Sequence, residues 1–163
     1  MKLLGVRNLV IYSLCGLFAT SSSAAILHFY NNPRVEQAFF HVTIEFQGFI
    51  YDADTFLGAI KYPVAEAKKV SFVNIEIADE LVNKEILEAQ LGKAFDYTFT
   101  WDNDKTYCSK MVGMALGMQP QPMSFEGTHY LRYYPHWASR TDPGISLDQI
   151  HEFGMQHQVQ SNP

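Results

Sequence analysis

The sequence predicts an α+β domain, an antiparallel sheet packed against helices, on three observations. The apolar period switches repeatedly between strand and helix types, no regular βαβ alternation develops, and residues 39–53 read as a tight hairpin. In the hairpin, Phe39 to Phe46 and Phe49 to Ala53 flank Gln47-Gly48, where glycine supplies the positive φ of a two-residue turn. Val70 to Ile77 reads as a half-buried strand, with Val73, Ile75 and Ile77 on one face and Asn74 and Glu76 on the other. Asp79 to Leu91 has helical spacing, with Asp79 or Asn83 as its cap and Gly92 just past its end. Alternation of Tyr97, Phe99 and Trp101 with Thr98 and Thr100 predicts a further strand. Thr106 to Leu116 reads as the second helix, closed by Gly117 and followed by Pro120 and Pro122. Tyr130 to Tyr134 predicts the last strand, and Ser146 is placed to cap a short helix running through Phe153.

Residues 1–25 read as a signal peptide rather than as structure. Lys2 and Arg7 precede an apolar stretch from Leu9 to Phe18, and Thr20-Ser21-Ser22-Ser23-Ala24-Ala25 forms a small-residue cleavage region. That stretch is about a dozen residues, short of the roughly 20 that span a bilayer, so no stable membrane span is expected after cleavage near Ala25. A periplasmic or secreted location follows. The remainder divides into one domain over residues 26–155, long enough for its own core, and a C-terminal tail over 156–163. Loss of Lys2 and Arg7 with the leader takes the formal charge from -5 to -7, and a chain without a basic surplus is a poor partner for nucleic acid.

Cys108 is the only cysteine outside the leader. A thiol left unpaired in an exported chain is either a small buried hydrophobe or a reactive group. Its position favours reactivity: the polar run Asp102-Asn103-Asp104-Lys105 feeds a helix, whose unpaired first-turn N–H groups stabilise thiolate over thiol. The hairpin offers the base. With Gln47 and Gly48 as the turn, Thr43 faces Asp52 and His41 faces Asp54, and strand alternation sends all four side chains to one face. An imidazole with a neighbouring carboxylate is what a thiol needs to lose its proton while the ring keeps its orientation. Asp52 and Asp54 are both candidates for the carboxylate, and an ordinary polar strand face is the alternative reading.

Several of these segments resemble a known family. Leu91-Gly92-Lys93-Ala94-Phe95-Asp96 leading to Tyr107-Cys108-Ser109-Lys110-Met111-Val112 is similar to a Leu-Gly-Lys-x-aromatic-Asp stretch followed by Tyr-Cys-Ser-Glu-Leu-Val. Phe40-His41-Val42-Thr43-Ile44 is similar to a His-Val-Gly-Ile strand, and Tyr51-Asp52-Ala53 to a Val/Ile-Glu-Ala segment on the next strand. Gly144-Ile145-Ser146-Leu147-Asp148-Gln149-Ile150 resembles a closing Gly-Ile-Ser-Pro-x-Asp segment. In this order, over roughly residues 40–153, they resemble the circularly permuted papain-like cysteine hydrolases of the YiiX/YaeF type within the NlpC superfamily. The resemblance implies a permuted papain-like, NlpC-type domain that hydrolyses an amide or ester through a thioester on Cys108. In that scheme His41 is the base and Asp52 the orienting acid, with Asp54 as its substitute, and Tyr107, Lys110 and Thr43 are substrate-cleft candidates. Two departures stand out. The family's opening Gly-Asp-Ile/Leu strand has no counterpart before His41, and Lys110-Met111 replaces the usual Glu-Leu, placing a cation one turn from the thiol.

Three functional classes remain open. The first is an amidase or endopeptidase acting on cell-wall peptides, and the second a lipid-directed acyl hydrolase or acyltransferase, favoured by aromatic and Met residues near Cys108. The third is a non-catalytic binding domain with Cys108 as an inert buried thiol. The expected partner is therefore a cell-wall peptide or an acylated small substrate. No cofactor is expected, and no metal, because His28, His129, His136, His151 and His157 show no compact ligand spacing.

Overall fold

The computed structural model describes residues 24–31, 39–68 and 70–160. Gln47 and Gly48 take φ of 50° and 80°, the mirror-image turn whose twist suits a two-residue hairpin loop. The turn sets the register of β2 (His41–Phe46) against β3 (Phe49–Asp54), with Phe46 opposite Phe49 and Ile44 opposite Tyr51. A second turn leads into β4 (Gly58–Pro63), while β1 (Ala24–Tyr30) pairs with β2 on one side and β5 (Val73–Ala78) on the other. The result is an antiparallel five-stranded sheet in the order β4-β3-β2-β1-β5. A two-residue ladder joins β6 (Gln121–Pro122) to β7 (Pro143–Gly144).

Among the described residues, three α-helices complete this mixed architecture. The Asn83 side chain accepts from the Ile86 N–H to start α1 (Lys84–Gln90), and α2 (Cys108–Ala115) follows a long loop. In α3 (Leu147–Gln156) the Ser146 hydroxyl accepts from the Gln149 N–H while the Gln149 side chain accepts from the Ser146 N–H, a reciprocal cap that satisfies two otherwise orphaned donors. Leu27, Phe29, Val42, Ile44, Ile75 and Ile77 of the sheet are fully or almost fully buried, together with Leu87, Met111, Val112 and Ile150 of the helices. At about 1.5–3 kcal/mol for each large apolar side chain removed from water, this shared layer holds the helices on the sheet against their loss of chain entropy. Gly58, at φ 76°, lies so close to the Lys93 carbonyl that any Cβ would collide with backbone. The approach lets the Ala59 N–H donate to Lys93 O at 2.8 Å, which docks β4 on the turn after α1.

The structure departs from the sequence reading in several places. Tyr97 to Trp101 is not a strand, because the Asp96 carboxylate captures the N–H groups of Thr98 and Thr100 that a sheet partner would need, and Phe99 turns to φ 52°. Tyr130 to Tyr134 is not a strand either: residues His129–Arg132 form a 3-10 turn in which Tyr130 packs on Phe99 (5.0 Å) and Tyr134 stacks on Trp137 (4.3 Å). Asp79–Leu81 is a separate 3-10 turn, which leaves Asn83 as the cap of a shorter α1. Of the expected leader, residues 1–23 lie outside the described residues, and Ala24 and Ala25 open β1, where Ala25 is fully buried opposite Ile77. Of the expected tail, Gln158 still bridges to Ile77 and the Val159 N–H donates to Glu76 O, while 161–163 lie outside the described residues. No helix among the described residues is long and apolar enough to cross a membrane.

Candidate active site

Cys108 is the first residue of α2, and Tyr107 before it is extended at φ -137° and ψ 166°. Two hydrogen bonds fasten this helix start to the segment entering α3. The Ile145 N–H donates to the Tyr107 hydroxyl at 3.3 Å, and the Ser109 hydroxyl donates to Ile145 O at 2.6 Å. Gly113 on the next turn leaves room for the Ile145 side chain, so α2 and the Gly144-Ile145-Ser146 strip sit flush. Cys108 itself is 7% exposed and is the free cysteine among the described residues.

His41 opens β2 and comes to the same place from the sheet. Its Nε2 lies 2.8 Å from Asp52 Oδ1, with both residues buried, and its ring is near enough to the Cys108 thiol for the two to interact electrostatically. Burial pulls the His41 pKa down, and the hydrogen bond to Asp52 together with the interactions with Cys108 and the Asp52 charge outweighs it, for a net rise from 6.5 to about 9. The ring is therefore set to carry a proton at neutral pH beside the Asp52 carboxylate. Behind it, the Tyr62 hydroxyl hydrogen-bonds Asp52, and burial followed by the Asp52 charge pushes the Tyr62 pKa up to about 12. The Tyr30 ring lies 5.6 Å from that of His41.

Of the two hairpin acids, Asp52 meets the imidazole. Asp54 Oδ1 accepts the N–H groups of Phe56 and Leu57 at 2.8 and 2.9 Å and shapes the β3–β4 turn. Three cleft candidates need correction or refinement. Thr43 is fully buried, with its hydroxyl 3.3 Å from that of Tyr30, and lies on neither chamber wall described below. Lys110 points away from the sulfur, because two residues along a helix is a rotation of about 200°. Its ammonium is buried instead among the carbonyls of Thr100, Trp101, Asn103 and Lys105 and the Asn103 side chain, at 2.7–3.3 Å. Tyr107 does form part of a chamber wall, but as a fully buried ring in a cluster with Met123, Phe125 and Trp137.

Two chambers meet at Cys108. One, of about 340 Å³, is bounded by Tyr107, Ser109, Met123, Phe125 and Ile145 and carries the carboxylates of Glu126 and Asp148 with the hydroxyls of Ser124, Thr128 and Ser146. The other, of about 370 Å³, has both Cys108 and His41 in its wall; the rest is aromatic apart from Thr55 and includes Phe95, Tyr97, Tyr133 and Tyr134. Phe40, Phe99 and Tyr130 border both and form the partition. Comparison of the chain with protein-family models, with curated proteins and with solved structures finds no match. The site is thus described by its own geometry. Among the described residues, no group of three or more His, Cys, Asp or Glu is placed to hold a metal ion.

Sequence reasoning missed Tyr62 and the aromatic chamber. The signal for Tyr62 was present, since β4 continues the hairpin and its alternation carries Tyr62 to the face that holds Asp52. The chamber had no such signal, because its rings come from 3-10 turns and a loop without period.

Proposed function

We propose that this protein is an exported cysteine hydrolase of the permuted papain-like type that cleaves an amide bond, of a cell-wall peptide or a similar substrate, through a thioester on Cys108. The observation that carries the reading is the buried His41 ring held by Asp52 on one nitrogen with the Cys108 thiol against it. The segments that resemble the family also lie together, with Tyr107 and Ser109 bonded to Ile145 and His41 to Asp52. The basic start and apolar stretch of residues 2–18, ahead of β1, support export.

In acylation, Sγ attacks the carbonyl carbon and the electron pair of the C=O moves to oxygen. First-turn N–H groups of α2 beside the sulfur are the donors that meet this oxyanion. As it collapses, the C–N bond breaks and the His41 proton goes to the departing nitrogen. Water then gives a proton to His41 and its oxygen to the acyl carbon, the C–S bond breaks, and the acid leaves. Asp52 keeps the ring aimed and favours its charged form. The aromatic chamber favours a second reading, acyl hydrolysis or transfer on a lipid, which uses the same steps with C–O in place of C–N.

Mass spectrometry of the intact protein mixed with an activated acyl ester tests the reading. Wild type is expected to gain one acyl group on Cys108 that hydroxylamine removes, and Cys108→Ala none. A native thiol that alkylates with iodoacetamide at pH 7 no faster than the urea-unfolded thiol would leave Cys108 as inert filling and overturn the proposal.

A further inference from the structure

We infer that the aromatic chamber receives the leaving group of the substrate and that this group is an apolar amine or alcohol, while the acyl part occupies the chamber carrying Glu126 and Asp148. The inference rests on Cys108 and His41 being the reacting pair. When the carbonyl carbon is bonded to Sγ, the departing atom needs a proton, and the ring beside the sulfur is the group that holds one. The leaving group must therefore lie on the side of the sulfur where His41 stands. Both chambers reach Cys108, and of the two only the aromatic one has His41 in its wall. The other has Ser109, Ile145 and Ser146, from the α2 and α3 side, in its wall beside Cys108.

Wall chemistry then fixes what each side accepts. Around the leaving group stand the rings of Phe95, Tyr97, Tyr133 and Tyr134, with no carboxylate and no lysine or arginine in the lining. Such a wall gains from covering apolar surface and holds no carboxylate to pair with an ammonium. Across the partition of Phe99 and Tyr130, the acyl side offers two carboxylates and three serine or threonine hydroxyls. That set matches an acyl part rich in hydrogen-bond donors. In balance, the S–C bond forms, the C–N or C–O bond breaks, the His41 proton passes to N or O, and a neutral apolar amine or alcohol fills the aromatic chamber. Deacylation requires water at the position just vacated. An apolar amine seated there takes the place of water and is acylated in its stead.

Partition of the acyl-enzyme reads this directly. The full chain is acylated with N-acetylglycine p-nitrophenyl ester in the presence of phenethylamine or, separately, ethanolamine, and amide and acid products are quantified by mass spectrometry. Phenethylamine is expected to divert the acyl group about tenfold or more better than ethanolamine, the scale set by burying a phenyl ring. Tyr134→Ala and Tyr97→Ala should bring the ratio towards one, and Glu126→Gln should leave it unchanged. Tyr133→Ala, at a residue 69% exposed, alters the same wall where folding is least at stake. Equal diversion by the two amines in wild type, or a ratio that follows Glu126 and not the tyrosines, overturns the inference and leaves the hydrolase reading standing. Absence of any acyl-enzyme overturns both.

Discussion

Two histidine–carboxylate pairs project from one face of the sheet. Tyr30 stands opposite His41, and His28 precedes Tyr30 by two residues on β1, so both imidazoles share that face. His41 Nε2 lies 2.8 Å from Asp52, and His28 Nε2 lies 3.1 Å from Glu45. A hydroxyl even completes the second set: Ser71 Oγ is 3.3 Å from His28 Nδ1. The two rings are almost equally covered, yet the Asp52 side chain is 3% exposed and that of Glu45 is 23% exposed. The larger difference is what else each ring meets. Ser71 donates its only hydroxyl proton to Asn74 Oδ1, which also lies 2.9 Å from His28 Nδ1. Neither chamber that reaches Cys108 extends to His28. The same residue types thus build a cross-strand polar ladder in one place and a candidate reaction centre in the other. What separates them is a thiol at a helix tip and a cavity beside it.

The comparison breaks first at the rings. His41→Ala should lower kcat/KM on the substrate used above by on the order of 10³-fold or more, and His28→Ala should leave it within about twofold. Comparable losses would mean that the sheet face works as one unit. Next come the acids: Asp52→Ala is expected to cost about 10²–10⁴-fold in kcat, because the ring loses the acceptor that orients it, while Glu45→Gln leaves kcat unaltered. Asp54→Ala should act on stability alone, by about 1–2 kcal/mol in urea denaturation, because the two turn N–H groups lose their acceptor.

The pH profile sharpens the contrast. The folded pKa of His41 is raised above its ordinary 6.5, so its contribution to stability is fully present below about 6.5 and is lost as pH rises through about 9. The same proton serves the departing nitrogen of an amide, so kcat on an amide substrate should fall above pH of about 9. A kcat–pH series on Asp52→Asn should move that limb to lower pH, and His28→Ala should not move it. The smallest effect is the coupling of His28 with Glu45. A double-mutant cycle followed by urea midpoints should return about 0–1 kcal/mol, as for partly exposed ion pairs.

The hairpin was legible because a two-residue turn fixes register and register fixes face, so Gln47-Gly48 was enough to gather His41, Thr43, Asp52 and Asp54. Which acid meets the ring was not legible, since Asp52 and Asp54 share the face and only the β3–β4 turn, capped by Asp54, separates their tasks. The caps of α1 and α3 were readable for a local reason: Asn83 and Ser146 act within three residues of themselves. β1 was hidden at the end of the leader-like segment, and nothing in its residues signals that it lies between β2 and β5. The false strands at 97–101 and 130–134 share a cause, since alternating or clustered aromatics look the same whether they pack on a sheet or on each other. At 97–101 an overlooked local rule decided the outcome. An Asp two residues before a Thr favours a turn closed by its carboxylate, and buried Asp96 receives the Thr98 N–H and hydroxyl, the Thr100 N–H and the Asn103 amide. Burial raises the pKa of that carboxyl, and these bonds outweigh the rise and hold it below the usual range.

Lys110 sits on the helix that bears the sulfur, and its ammonium gathers the carbonyls of the loop that hangs Tyr97 and Phe99 over the cavity. Thiol and overhanging rings are thereby parts of one rigid bracket, and the gap between them is gauged by a single turn of helix. Lengthening or shortening that loop would strip a buried cation of its oxygens. Changes in the range of molecules handled must then come from swapping one ring for another and not from altering how far the wall reaches.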